Sequence, residues 1–179
     1  MFQIFYPDEY VKSAYEIPYE ELYQNGIRGL LFDIDNTLVE HGKPATERAI
    51  VLMSRLKEIG FSICLISNNK EERVKKFNEP IQVEYIYKAG KPMRDGYEKA
   101  MQKLGTTAKT TVFIGDQLFT DVWGAKRTGI KSYLVEPIDP REEIQIVLKR
   151  YLEKPILAAY KRKKKRLDAE GKRNETKEK

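Results

Sequence analysis

The sequence predicts an α/β fold: a three-layer α/β/α sandwich around a central parallel sheet of about five strands, with no inserted cap domain. Three observations predict it. Short apolar runs alternate with amphipathic or charged stretches from Gly29 onward, the pattern of strands joined by right-handed helical crossovers. Glycines stand where the helices should stop, at Gly60, Gly105 and Gly129, a position that favours the left-handed C-cap conformation. The intervals between the polar strand ends are filled by single helix-and-strand units, which leaves no length for an insertion.

In chain order, Leu30-Leu31-Phe32-Asp33 reads as the first strand. Thr46 to Ile59 follows as a helix, with Ile50, Met53, Leu56 and Ile59 spaced along one face. Phe61–Ile66 is the second strand, Asn69–Phe77 a charged helix closed by Pro80, and Val83–Tyr87 the third strand. Pro92 is expected at the first position of a helix running to Leu104, where its missing N–H is harmless. Thr110–Ile114, the helix Asp121–Thr128, the strand Lys131–Val135 and an amphipathic helix Glu142–Leu152 complete a Rossmann-like order. The expected organisation is an aromatic N-terminal segment over 1–27, the main α/β domain over 28–153 and a basic, flexible tail over 154–179. Five tyrosines in the first 25 residues are expected to pack over a sheet edge, with a rim beside the site as the alternative.

The 179 residues carry a formal charge of +6, but that charge is unevenly placed. Lys154 to Lys179 holds 11 basic and 4 acidic residues, leaving 22 basic against 23 acidic in the rest. A nucleic-acid-binding domain would show basic character on its folded part, so that class is not favoured. No window nears the roughly 18 apolar residues that span a bilayer, and the first residues do not resemble a leader. The single cysteine, Cys64, lies in an apolar run and fits a buried residue in a reducing compartment. The expected location is cytoplasmic, with peripheral attachment at the inner face of the membrane as a variant.

In parallel sheets, ligands bind beyond the carboxyl ends of the strands. Those positions here are Asp33-Ile34-Asp35-Asn36-Thr37, Ser67-Asn68-Asn69, Gly90-Lys91-Pro92 and Gly115-Asp116 through Asp121. Carboxylates gathered at one edge repel one another unless a cation lies among them, and hard oxygen ligands beside a phosphate suit Mg²⁺. Asp33 and Asp35 are two apart and share one side of an extended backbone. A carboxylate nucleophile would split ester hydrolysis into formation and breakdown of an acyl phosphate, and the second carboxyl would serve as acid and then base. Ser67 can bond a phosphoryl oxygen, Lys91 can stabilise negative oxygens, and Asp116 and Asp121 can complete a metal site directly or through water. Each motif alone is ordinary turn or cap chemistry; their order and placement together carry the reading.

Taken together these motifs resemble the haloacid dehalogenase (HAD) superfamily of aspartyl-nucleophile phosphatases over roughly residues 28–136. The resemblance implies Asp33 as nucleophile, Asp35 as acid/base, and Mg²⁺ held by Asp33, the Asp35 carbonyl and Asp116, with Asp121 orienting metal-bound water or Lys91. The expected catalytic set is therefore Asp33, Asp35, Ser67 and Lys91. The substrate-binding set is Thr37, Ser67, Asn68 and Lys91, and the metal set Asp33, Asp35, Asp116 and Asp121. Thirty residues from Thr37 to Ser67 and 24 from Ser67 to Lys91 hold no cap, and open members of the superfamily tend to take large substrates. The forms Asp-Asn-Thr-Leu and Gly-Asp-Gln-x-x-Thr-Asp, with the aromatic leader, look like the YqeG-like group of subclass III phosphatases. That group is similar to mitochondrial and plastid phosphatidylglycerophosphate phosphatases, which implies a phospholipid phosphate as substrate. A soluble sugar phosphate, nucleotide or phosphoprotein is the alternative, and an RNA- or ribosome-associated phosphate-binding module the non-enzymatic one.

Lys161-Arg162-Lys163-Lys164-Lys165-Arg166 after the apolar Ile156–Tyr160 patch can hold a protein at an anionic membrane, can bind nucleic acid, or can be plain solvated tail. His41 has no second histidine to share a metal with; a flap beside the site or solvent exposure is expected for it.

Overall fold

The computed structural model describes residues 2–139 and 144–175, the side chains of 144–150 and 171–175 excepted. Its elements are β1 (Glu9–Val11), α1 (Tyr19–Gln24), β2 (Gly29–Phe32), α2 (Glu47–Ile59), β3 (Ser62–Ile66), α3 (Glu71–Asn78), β4 (Glu84–Ile86), α4 (Arg94–Leu104), β5 (Thr111–Gly115), α5 (Trp123–Thr128), β6 (Lys131–Val135) and α6 (Ile144–Glu175). One sheet of six parallel strands runs in the order β1-β6-β5-β2-β3-β4. From β2 the chain steps outward through β3 and β4, then crosses back to β5 on the other flank of β2. The carboxyl ends of β2 and β5 therefore flank the switch point, the place where such sheets leave a crevice.

Strand periodicity builds the three layers. Leu30 and Phe32 of β2 join Ile63, Leu65, Val112 and Ile114 on one face, against Leu52, Met53 and Leu56 of α2 and Val74 and Phe77 of α3. Leu31, Cys64, Ile66 and Phe113 point the other way, onto Tyr97 and Ala100 of α4 and Ala125 of α5. Side chains two apart share a face, so strands covered on both sides must be apolar throughout. Burial pushes the Cys64 thiol up to about 12, leaving an inert core residue. Among the described residues there is no separate cap, and no helix is long and apolar enough to cross a membrane.

Three expectations are corrected. The sheet has six strands, because part of the aromatic leader forms β1 beside β6. Asp8 fixes that edge, accepting from Ser132 N at 2.8 Å and Ser132 Oγ at 2.9 Å and pairing with Lys126 at 3.0 Å. Pro92 is not the first helical residue. Met93 is extended (φ −70°, ψ 150°) and α4 begins at Arg94, because the Lys91 backbone is held to Asn68 instead.

The third correction concerns the tail. The segment expected to be flexible from 154 continues as α6 to Glu175, across Pro155. Lysine and arginine are good helix formers, and Glu153, Ile156 and Tyr160, spaced to share a face, are buried against the body. The expected start of that helix, residues 142 and 143, lies outside the described residues, as do 176–179. Glu153 Oε1 accepts from Leu118 N at 2.8 Å just beyond β5, whereas Lys164 pairs with Glu9 at the start of β1 at 3.0 Å. Helix α6 thus runs from just beyond β5 along the β1 edge of the sheet, where Glu9 is level with Tyr133, Ile114 and Phe32, and it carries the basic block out along that edge.

Candidate active site

The ladder delivers the site residues. Asp33 N donates to Ile114 O, extending the β2–β5 pairing by one residue, and Ser67 N donates to Ile86 O in the same way beyond β3. Asp33, Ser67, Lys91, Asp116 and Asp121 are all buried. The sequence-predicted residues converge: Asp33, Asp35, Ser67, Asn68 and Lys91 line one pocket of about 200 Å³, together with Asn36, His41, Asn69, Gln117 and Thr120.

Lys91 is the hub. Its Nζ lies 2.5 Å from Asp33 Oδ1 and 2.7 Å from Asp121 Oδ1, with the lysine side chain only 4% exposed. Burial pulls the ammonium pKa down, but the charges of Asp121 and Asp33 outweigh it and raise the value above that of a free lysine. Asn68 accepts from Lys91 N at 2.8 Å through Oδ1 and donates to Lys91 O at 3.1 Å through Nδ2. Expected as a substrate ligand, Asn68 spends its side chain on placing Lys91.

Asp121 is fixed from behind. Its Oδ2 accepts from the amides of Asp116 and Gln117, each at 3.1 Å. A side chain at Gly115 could not fit here, since a Cβ would stand 2.4 Å from Asp121 Oδ2. Glycine ends β5 so that this carboxylate can fold over the strand end. Thr37 Oγ1 reaches Asp116 Oδ1 at 3.3 Å and Asp33 Oδ2 at 3.5 Å, holding the two carboxylates in register.

Single ligand atoms from Asp33, Asp116 and Asp121 all fall within 4.8 Å of one another. Burial, only partly offset by Lys91 and aided by Asp121, pushes the Asp33 carboxyl up to about 7. Three carboxylates against one ammonium leave a deficit of positive charge, and an oxygen-only donor set fits a hard divalent cation. Asp33, Asp116 and Asp121 are the candidate carboxylate donors, and Asp121 is the one that also accepts from two backbone amides.

Asp35 faces the opposite wall. Its Oδ1 accepts from Arg73 Nη2 and Gly42 N, both at 2.8 Å, and its Oδ2 from Asn69 Nδ2 at 2.7 Å. Ser67 Oγ accepts from Asn69 N at 3.1 Å, leaving its hydroxyl proton to donate into the pocket. Sequence reasoning missed Arg73 and the Gly42 amide as site residues, and it placed Asn69 at the strand end without a role. Arg73 had no signal beyond its place in a charged helix, because nothing local distinguishes it from a solvated arginine. His41 lies on the pocket rim and is exposed.

A family model described as HAD-hydrolase-like matches residues 88–137. The protein named Probable phosphatase YqeG of Bacillus subtilis (strain 168) is 41% identical over 162 residues, 90% of this chain and 94% of that one. Phosphatidylglycerophosphate phosphatase 1, chloroplastic/mitochondrial, of Arabidopsis thaliana is 27% identical over 178 residues, 90% of this chain but 49% of its own. Among solved structures, NagD of E. coli K-12 aligns with a TM-score of 0.53 at 12% identity, over 68% of this chain and 91% of that one. The magnesium-bound HAD-hydrolase YfnB of Bacillus subtilis aligns at 0.52 and 15%, over 66% and 91%. At such identities these two structures speak for the fold.

Proposed function

Because this chain belongs to the HAD-like hydrolases and is a phosphatase, we propose that it is a magnesium-dependent phosphomonoester hydrolase that works through an aspartyl-phosphate on Asp33. The observation that carries the reading is the buried Asp33–Lys91–Asp121 chain at the β2/β5 switch point, with Asp35 two residues from the nucleophile. Asp33 attacks phosphorus and the ester bond to the alcohol breaks, while protonated Asp35 gives its proton to the departing oxygen. Water then attacks the acyl phosphate and Asp35 takes the water's proton, releasing phosphate and restoring the Asp33 carboxylate. The three hydrogen bonds that Asp35 accepts hold its carboxyl group in place for both steps. Ser67 and Lys91 bond the phosphoryl oxygens and stabilise the charge that gathers there. Magnesium, held by Asp33 and Asp116 with the Asp35 carbonyl, would supply further positive charge to the transferring group.

For the substrate we take phosphatidylglycerophosphate. The name of the Arabidopsis relative supports it, and so does a catalytic pocket with no cap to close over a small metabolite. A soluble sugar phosphate, nucleotide or phosphoprotein is the alternative. Phosphate release from phenyl phosphate, followed with and without magnesium in wild type and Asp33→Asn, tests the chemistry. Wild type should need the metal and the variant should fall by at least about a thousandfold; undiminished activity in Asp33→Asn would sink the mechanism.

A further inference from the structure

The catalytic pocket, about 200 Å³ and polar, has room for a phosphate group and little of the alcohol attached to it. A second pocket of about 500 Å³ lies next to it. Its walls come from Tyr15, Leu38, Val39, Pro44 and Ile138, in segments that follow the carboxyl ends of β1, β2 and β6. It therefore opens on the edge of the sheet that bears Asp33.

The two pockets share a wall. Within the segment 36–41, Asn36 and His41 face the catalytic pocket, and Leu38, Val39 and Glu40 face the second. Hydrogen bonds brace that wall. Ile138 N donates to Asn36 O at 3.2 Å and Asp139 N to Asn36 Oδ1 at 3.1 Å. Across the pocket, Tyr15 donates its hydroxyl to Leu38 O at 2.6 Å. A cavity braced on two sides can receive a ligand without first being ordered by it.

Its charge is as informative as its apolar lining. Lys43 and Arg48 stand exposed at the rim, and among the described residues neither has a carboxylate partner. Arg48 instead lies 3.9 Å over the Tyr15 ring. Among the described residues Glu40 is the one acid of the lining, set against these two cations. An apolar cavity with two cations that no carboxylate neutralises complements an amphiphile bearing a negative charge.

We propose that this pocket receives the phosphodiester and adjoining acyl-glycerol portion of an anionic phospholipid whose terminal phosphate ester lies at Asp33, an inference that rests on the lipid-phosphate reading above. Lys43 and Arg48 meet the internal phosphodiester, and Leu38, Pro44 and Ile138 cover the apolar part beside it. Specificity then comes from a fixed neighbouring pocket, where other enzymes would use a mobile cap.

The test compares kcat/KM for monomeric dihexanoyl phosphatidylglycerophosphate and for glycerol 3-phosphate. Wild type, Lys43→Glu/Arg48→Glu and Ile138→Asp are measured, and thermal denaturation verifies that each variant is folded. Wild type should favour the lipid, and both variants should lower the lipid-to-soluble ratio by about tenfold or more, chiefly through KM for the lipid. A wild type that favours the lipid with an unchanged ratio in both variants would overturn the pocket assignment alone. A wild type that hydrolyses glycerol 3-phosphate without favouring the lipid would overturn the substrate reading and the pocket with it.

Discussion

Arg73 Nη2 lies 2.8 Å from Asp35 Oδ1, so a residue of α3 grips the carboxylate proposed as acid and base. Both side chains are largely shielded, at 18% and 12% exposure, which strengthens the pair relative to a surface one. The same oxygen takes the Gly42 amide, and Asn69 holds the other. Arg73 is thus a positioning residue: it acts on the ester through Asp35.

Removing that grip should have a chemical signature. Arg73→Ala should lower kcat by about ten- to a hundredfold on an alkyl phosphate, whose leaving group needs a proton, and less on an aryl phosphate. Arg73→Lys should retain more alkyl activity than Arg73→Ala. Equal losses on both esters would show that the residue serves only the fold.

Metal should couple to pH. Burial raises the Asp33 carboxyl from 3.8 to about 7, so between those values the folded state binds more protons than the unfolded one. Stability from this group is present below about pH 4 and is lost as pH rises through about 7. Magnesium should relieve the charge, and its effect on the melting temperature should be larger at pH 8 than at pH 5. A magnesium shift that is equal at both pH values would contradict the charge deficit inferred at the site.

The basic block should matter little to lipid turnover, because α6 carries it along the β1 edge of the sheet, three strands from β2 and Asp33. Near an anionic surface, five basic residues at about 1 kcal/mol each would govern binding by roughly three to four orders of magnitude. Replacing Lys161, Arg162, Lys163, Lys165 and Arg166 with glutamine should instead leave kcat/KM in mixed micelles within about threefold of wild type. A loss above a hundredfold, seen with the lipid and not with a soluble ester, would make this helix the membrane contact. Truncation after Leu152 cannot pose the question, since Glu153, Ile156 and Tyr160 are buried against the body.

Much of the site was legible because each chemical residue follows directly on a short apolar strand. The order Asp33, Ser67, Lys91, Asp116 could be placed at one edge from the alternation of elements alone. β1 was not legible: Glu9, Tyr10 and Val11 are all half-buried, and what docks them is the long-range Asp8–Ser132 contact. The persistence of α6 past Pro155 escaped for a similar reason, since the body packs one face of a helix whose local sequence carries a breaker. Asn68 and Arg73 act through partners 23 and 38 residues away, a distance at which a single sequence carries no pairing signal.

The central claim is that Asp33 carries the phosphoryl group. Asp35→Asn, mixed with an aryl phosphate and magnesium and quenched in acid, should accumulate the intermediate, because the aryl oxygen leaves without a proton while the base for the second step is gone. Peptide mass spectrometry should find the added phosphoryl on Asp33, and none after the further change Asp33→Asn. A phosphoryl group on another residue, or steady phosphate release by Asp33→Asn, would contradict the account.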